Sequence, residues 1–278
     1  MTWPTGGAVS PASEERSREA GRAPEADPVS RVARLAALVR EANSAVALTG
    51  AGISVPSGIP DFRSPGTGIW EKVDPMEVAH IDAFRSDPDR FWGFYSQRFA
   101  SLVDKRPNPA HEAIAELERR GLVRGVITQN IDRLHRLAGS ERVIEVHGSI
   151  DWCVCPECGG RFELERVLEM VEGGPPTPEC PACITPLKPD VVLFGELLPE
   201  AAMAEAHALA QEADVMLCVG SSLEVYPVAS LPGVTLVSGG RVALVTQGRT
   251  PYDGEAEVKL DGDVAAELQA VLSALDAG

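Results

Sequence analysis

Short, nearly continuous apolar runs recur along the chain: Ala45 to Thr49, Val123 to Thr128, Val143 to Val146, Val191 to Phe194, Val215 to Val219 and Val242 to Thr246. Runs this short without an alternating polar face are the pattern of strands covered on both sides. Between them, apolar residues fall three and four apart. Val32, Leu35, Leu38 and Val39 mark one helix, with Asp27 as its cap and Pro28 in its first turn. Phe91, Trp92, Tyr95 and Phe99 mark a second, opened by Ser86-Asp87-Pro88. Ile114 and Leu117 mark a third, from Asn108-Pro109 to Gly121. Residues 199–212 and 262–275 read as further helices, and 64–85 as irregular, with a turn at Ser64-Pro65-Gly66. The alternation predicts an α/β fold, a doubly wound parallel sheet of Rossmann-like form over residues 29–278. Residues 148–189 break the pattern and read as a small inserted module. Residues 1–28, rich in Pro, Ala, Gly, Ser, Glu and Arg, read as a disordered tail.

The 278 residues carry a formal net charge of -16 and are 44% hydrophobic. The size and apolar content suit one large domain with an insert. An acidic surface argues against a direct nucleic-acid ligand, which wants a basic face. It suits good solubility and basic partners such as lysine-rich segments. No apolar run approaches the ~20 residues needed to span a bilayer, and the N-terminus lacks the apolar core of a signal peptide. The expectation is a cytoplasmic protein without a membrane partner, in which six cysteines serve a metal or catalysis rather than disulfides.

Five of those cysteines lie in the insert. Cys155-Pro156-Glu157-Cys158 and Cys180-Pro181-Ala182-Cys183 form two C-x-x-C knuckles. Four thiolates close a tetrahedral shell around zinc and leave no position for a substrate, so the site reads as structural. Cys153 has the wrong spacing for a knuckle, and Cys218 reads as a small core residue.

Each predicted strand runs into a loop with chemistry in it. After Ala45–Thr49 comes Gly50-Ala51-Gly52, where glycines let a backbone approach a pyrophosphate. The dinucleotide fingerprint is incomplete, because Val55 stands where its third glycine would be. The other loops are Gln129-Asn130-Ile131-Asp132, His147-Gly148-Ser149, Gly195-Glu196 and Gly220-Ser221-Ser222. A parallel sheet brings such loops to one edge, where ligands bind. His147 is the only histidine at a strand end; beside Asn130 and Asp132 it reads as a general base. His80, His111, His135 and His207 show no partner pattern.

Together these residues resemble the sirtuins, the NAD-dependent protein lysine deacylases. The matching pieces are the run from Gly50 to Arg63, Thr128 to Asp132, His147-Gly148-Ser149, the four knuckle cysteines, Lys188 to Glu196 and Gly220-Ser221-Ser222-Leu223. The resemblance implies NAD and zinc as cofactors. It implies an acyl transfer in which the acyl oxygen of the substrate lysine attacks the ribose as nicotinamide leaves, and the acyl group ends on ADP-ribose. Gly50, Ala51, Gly52, Gly220, Ser221 and Ser222 would hold the pyrophosphate and ribose. Ile59, Asp61, Phe62, Gln129, Asn130, Ile131 and Asp132 would line the nicotinamide side, and Arg63 would lie near the cofactor. His147 would take the proton of the ribose hydroxyl. Thr246 or Gln247 replaces the asparagine expected at the adenosine ribose, and Val264 matches the adenine flank only loosely. Acylated protein would enter as an added strand along Val192, Phe194, Gly195, Glu196 and Leu223. Tyr95 and Arg98 share a helix face, and Tyr-x-x-Arg resembles the branch that removes succinyl and malonyl groups, since a guanidinium pairs bidentately with a carboxylate. Two rival functions use the same loops: mono-ADP-ribosyl transfer, and a non-catalytic NAD-responsive binding module.

Overall fold

A computed structural model describes residues 28–61 and 74–277. The tail before Pro28, and Phe62 and Arg63 of the cofactor run, lie outside them. The first helix, Pro28–Glu41, leads into strand β1, Ala45–Thr49. Strand β2 is Val123–Thr128 and β3 is Val143–Glu145. Strands β4 (Gly148–Val154), β5 (Arg161–Glu163) and β6 (Lys188–Val191) follow, then β7 (Val215–Val219), β8 (Arg241–Val245) and β9 (Val258–Leu260). Six of these form one sheet in the order β3-β2-β1-β7-β8-β9, with every pairing parallel. The doubly wound expectation holds.

Strand β1 explains why both faces are covered. Its residues are all buried, and successive side chains point to opposite sides. Ala45 and Ala47 join a core with Leu35, Val39, Ile114, Leu117 and Leu268. Val46 and Leu48 join another with Leu209, Met216, Leu231 and Leu244. The helices Pro28–Glu41, Pro109–Arg119 and Val264–Asp276 therefore cover one face, while Glu200–Glu212 and Leu231–Val237 cover the other.

The insert has its own architecture. β4 pairs antiparallel with β5 and β6, and the helix Leu164–Gly173 closes the module. A third core joins it to the helix Pro88–Val103 through Phe91, Trp92, Phe99, Ile150, Leu164 and Leu187. Trp92 Nε1 donates to the Leu187 carbonyl at 2.8 Å, pinning that seam.

Two expectations change. Val191 to Phe194 is not a strand of the parallel sheet; the strand is Lys188–Val191, and it belongs to the insert. Of the run, Val191 and Leu193 pack into the insert's core while Phe194 is exposed, a difference that periodicity does not reveal. Within 64–85, the described part is helical at Pro75–Val78 and Ile81–Ser86. His80 caps the second of these, accepting from the Asp82 amide at 3.1 Å. The patterning also missed β4, β5, β9 and the helices Leu164–Gly173 and Leu231–Val237, all short.

Candidate active site

The order of strands reverses at β1 and β7, and the loops that leave them meet there. The Gly50 amide donates to the Val219 carbonyl at 3.1 Å and the Gly52 amide to the Gly220 carbonyl at 2.8 Å. A Cβ on Gly52 would stand 2.7 Å from that carbonyl oxygen, and one on Gly220 (φ 61°) 2.2 Å from the Ile53 nitrogen. Only glycines fit so close an approach. Here the glycines close two loops onto each other, so the amides of Gly50 and Gly52 are used within the protein. Among the described residues, only the Ala51 amide of that trio takes no such partner. A seven-residue 3₁₀ turn, Ala51–Ser57, follows in place of a long helix, with Val55 exposed on it.

Gln129, Asn130, Ile131 and Asp132 leave the end of β2, next to β1. Gln129 Nε2 donates to Ser221 Oγ at 2.9 Å, joining this loop to the one after β7. Asn130 Nδ2 donates to the Gly50 carbonyl at 3.2 Å and to Ser54 Oγ at 3.1 Å. Ser54 donates to Asp132 Oδ2 at 2.6 Å, and the Leu134 amide donates to Oδ1 at 3.0 Å. Burial pushes the Asp132 carboxyl above its ordinary range, against the pull of the Ser54 bond.

His147 stands where the chain leaves the parallel sheet for the insert. Its Nδ1 lies 2.9 Å from the Gln129 carbonyl. A carbonyl only accepts, so Nδ1 carries the proton and Nε2 keeps its lone pair. Burial lowers the imidazole's pKa, and the bond to Gln129 works the other way. The ring is therefore neutral at physiological pH, which is the state of a base. At Gly148 the chain turns with φ 77°, in a space where a Cβ would stand 2.1 Å from the Asp190 carbonyl oxygen.

Sequence reasoning passed over the layer beneath. His111 and His135 are fully or nearly fully buried, with rings 5.0 Å apart. His135 Nε2 lies 2.9 Å from Thr49 Oγ1, and His111 Nε2 lies 3.3 Å from Ser54 Oγ. Burial holds both neutral, His111 at about 4 and His135 at about 3. The available signal for His111 was its place three residues after Asn108, which makes it the reciprocal partner of a capping box.

Other candidates gather around this centre. Thr246 is buried at the end of β8, and the Gly220 amide donates to Val245 beside it at 2.9 Å. Gln247 Nε2 donates to the Gly262 carbonyl at 3.3 Å. That brings the start of the last helix, at Val264, to the same edge. Ile59 and Asp61 are half-buried beyond the 3₁₀ turn, and Ser222 is exposed after β7.

Along the proposed substrate edge, the Val192 amide donates to the His147 carbonyl at 2.9 Å. Phe194 is bonded through its amide to Ala79 and through its carbonyl to Ile81, both at 2.9 Å. The Glu196 amide donates to Leu193 at 3.0 Å. Among the described residues, the backbone groups of this turn with no such bond include those of Gly195 and the Glu196 carbonyl. Leu223, with φ 55°, is buried on the facing loop. Tyr95 stacks on Phe99 at 5.1 Å; burial raises its hydroxyl to about 12, with Arg98 opposing. The Arg98 guanidinium lies 4.1 Å over the Phe94 ring and makes no ion pair with a described residue.

The sulfurs of Cys155, Cys158, Cys180 and Cys183 all lie within 4.8 Å of one another. Three of the separations are 3.8, 3.8 and 3.9 Å. A tetrahedral shell with Zn–S near 2.3 Å requires sulfurs about 3.8 Å apart, so the four fit that metal. Cys153, buried with its thiol pushed up to about 12, is outside the cluster.

A Sir2 family model matches residues 50–227. The NAD-dependent protein deacetylase 1 of Pyrobaculum aerophilum is 43% identical over 241 residues, covering 87% of this chain and 93% of that protein. The NAD-dependent protein deacylase of Thermococcus kodakarensis is 44% identical, with 85% and 93% covered. Among solved structures, a Sir2 variant bound to a deacetylated p53 peptide and 3'-O-acetyl ADP ribose superposes with a TM-score of 0.83. It is 42% identical, with 86% of this chain and 96% of that one covered.

Proposed function

The chain belongs to the Sir2 family, and from that premise we propose how its residues carry out NAD-dependent deacylation of protein lysine. NAD, when bound, supplies an electrophilic ribose carbon that accepts the acyl group as nicotinamide departs. The four knuckle cysteines hold zinc, which stabilises the insert and leaves the chemistry to other residues.

The observation that carries the assignment of roles is the orientation of His147. Its Nδ1 is committed to Gln129, so Nε2 is the basic atom, and it takes the proton of the ribose hydroxyl. Asn130 and Asp132 are fixed by Ser54 and meet the nicotinamide side. Ala51, Ile59, Gln129 and Ile131 line the same side, with Asp61, Phe62 and Arg63 on the segment that follows. Gly50, Ala51, Gly52, Gly220, Ser221 and Ser222 form the bed of the pyrophosphate and adjoining ribose, with the Ala51 amide as the donor left by the internally bonded amides of Gly50 and Gly52. Thr246, Gln247 and Val264 flank the adenosine.

Acyl-lysine protein is the substrate, entering between Gly195-Glu196 and Leu223 as an added strand. Val192 and Phe194 flank its entry. No helix among the described residues is long and apolar enough to cross a membrane, which suits action in the cytoplasm. Tyr95 and Arg98 add a second acyl preference. The phenol is held by aromatic stacking and the guanidinium lies over the Phe94 ring with no carboxylate partner among the described residues, so the pair suits an acyl chain that ends in a carboxylate.

The test is incubation with NAD and an acetyl-lysine peptide. Free lysine and one nicotinamide per peptide are expected, and His147→Ala should lower turnover at least about 100-fold. Labelled protein without lysine release would favour ADP-ribosyl transfer instead.

A further inference from the structure

Arg133 follows Asp132 directly and holds φ at 68°, in the left-handed region. Side chains other than Asn and Asp seldom sit there, and such angles persist only where surrounding contacts impose them. Here the contacts are visible. The Arg133 side chain is 15% exposed, and Nη1 donates to Asp151 Oδ1 at 3.2 Å and to Glu165 Oε1 at 3.1 Å. Nη2 reaches the Val103 carbonyl at 3.5 Å. Asp151 lies on β4 and Glu165 on the helix Leu164–Gly173, both in the zinc-binding module.

The contacts tie two parts of the active site together. Asp151 also accepts from Ser149 Oγ at 3.0 Å, two residues beyond His147. The Ile150 amide donates to the Ile131 carbonyl at 3.1 Å, one residue before Asp132. The Leu134 amide that holds Asp132 Oδ1 lies just past Arg133. The direction of that amide, and with it the Asp132 carboxyl, follows the backbone angle at Arg133. Glycine would hold the angle without strain, so the guanidinium contacts are what offset it. Nη1 alone meets both carboxylates, Nη2 turns to the Val103 carbonyl and the buried Nε has no partner among the described residues, so one planar group spans the module and the helix Pro88–Val103, which an ammonium on a flexible stem does less well.

We propose that Arg133 is a positioning residue: held by Asp151 and Glu165, it clamps the nicotinamide-side loop to the zinc-binding module and sets the orientation of Asp132. The inference rests on the deacylase reading above. It adds that the metal module governs the nicotinamide side of the site through one guanidinium nitrogen shared by two of its carboxylates.

The test compares full-length, zinc-loaded wild type with Arg133→Gly, Arg133→Lys and the double variant Asp151→Asn/Glu165→Gln. Deacylation of an acetyl-lysine peptide, inhibition by free nicotinamide and zinc content are measured. Arg133→Gly should keep its zinc. Its kcat/KM for NAD should fall on the order of 10-fold, and nicotinamide should inhibit it more weakly by a similar factor, while the KM for peptide stays put. Arg133→Lys should lie between. The double variant keeps the arginine but removes the contacts that hold its left-handed angle, so it should show the glycine pattern at least as strongly. It decides alone if Arg133→Gly loses zinc or unfolds. A general loosening would shift the peptide KM too, and would overturn the proposal. So would an active wild type whose variants match it in nicotinamide inhibition. A wild type that does not release lysine sinks the deacylase reading itself.

Discussion

At the scale of single residues, His147 makes the clearest claim about pH. The neutral ring is the working form, and burial holds its pKa below the usual value. Lowering pH therefore protonates it later than an exposed histidine. The acid limb of kcat/KM should have its midpoint below about 6.5, the unperturbed value, and a limb at or above it would refute the assignment. Arg98 makes a claim about substrates. Arg98→Met should abolish turnover of succinyl-lysine peptides selectively and leave acetyl-lysine turnover in place. Equal losses on both peptides would show that the residue serves the fold alone. The chemistry at this scale was legible where a residue had a motif around it, as with His147, Asp132 and the cysteines. Ser54, His111 and Arg133 were not, because their roles come from residues far off in sequence: Asp132, Ser54 and Glu165.

At the scale of elements, the close contact between the loops after β1 and β7 is the feature that glycine makes possible. Gly220→Ala would press a methyl group against the Ile53 nitrogen in a left-handed backbone. A loss of about 1–3 kcal/mol in unfolding free energy is expected from such strain, read as a lower urea midpoint, together with weaker NAD binding. An unchanged midpoint would mean the loops part easily. Long elements were readable from pattern: the helices Pro88–Val103 and Pro109–Arg119 begin at the Asp87 and Asn108 caps that the sequence announces. The run ending at Phe194 was misread because its strand ends at Val191 and only Val191 and Leu193 are buried in the insert's core, which an apolar run alone does not show. β5 and β9, of three residues each, carry too little pattern to detect.

At the scale of the whole molecule, the insert meets the rest of the chain along the third core, where Trp92 and Leu187 are bonded. The insert has few strands of its own and takes stability from its four thiolates; metal binding of this kind contributes on the order of 10 kcal/mol to folding. A strong chelator should release one zinc per chain and melt the insert before the parallel sheet, seen as two thermal transitions where the holoprotein shows one. Deacylation should vanish with the first. A single transition that ignores chelation would remove the structural role of the cysteines. The chain passes from β3 to β4 within a few residues, and the imidazole sits at that crossing. Loosening of that crossing would tip the ring away from the sugar while leaving the beds of both reactants in place, so substitutions in the insert far from the catalytic loops should lower maximal velocity that neither more NAD nor more peptide restores.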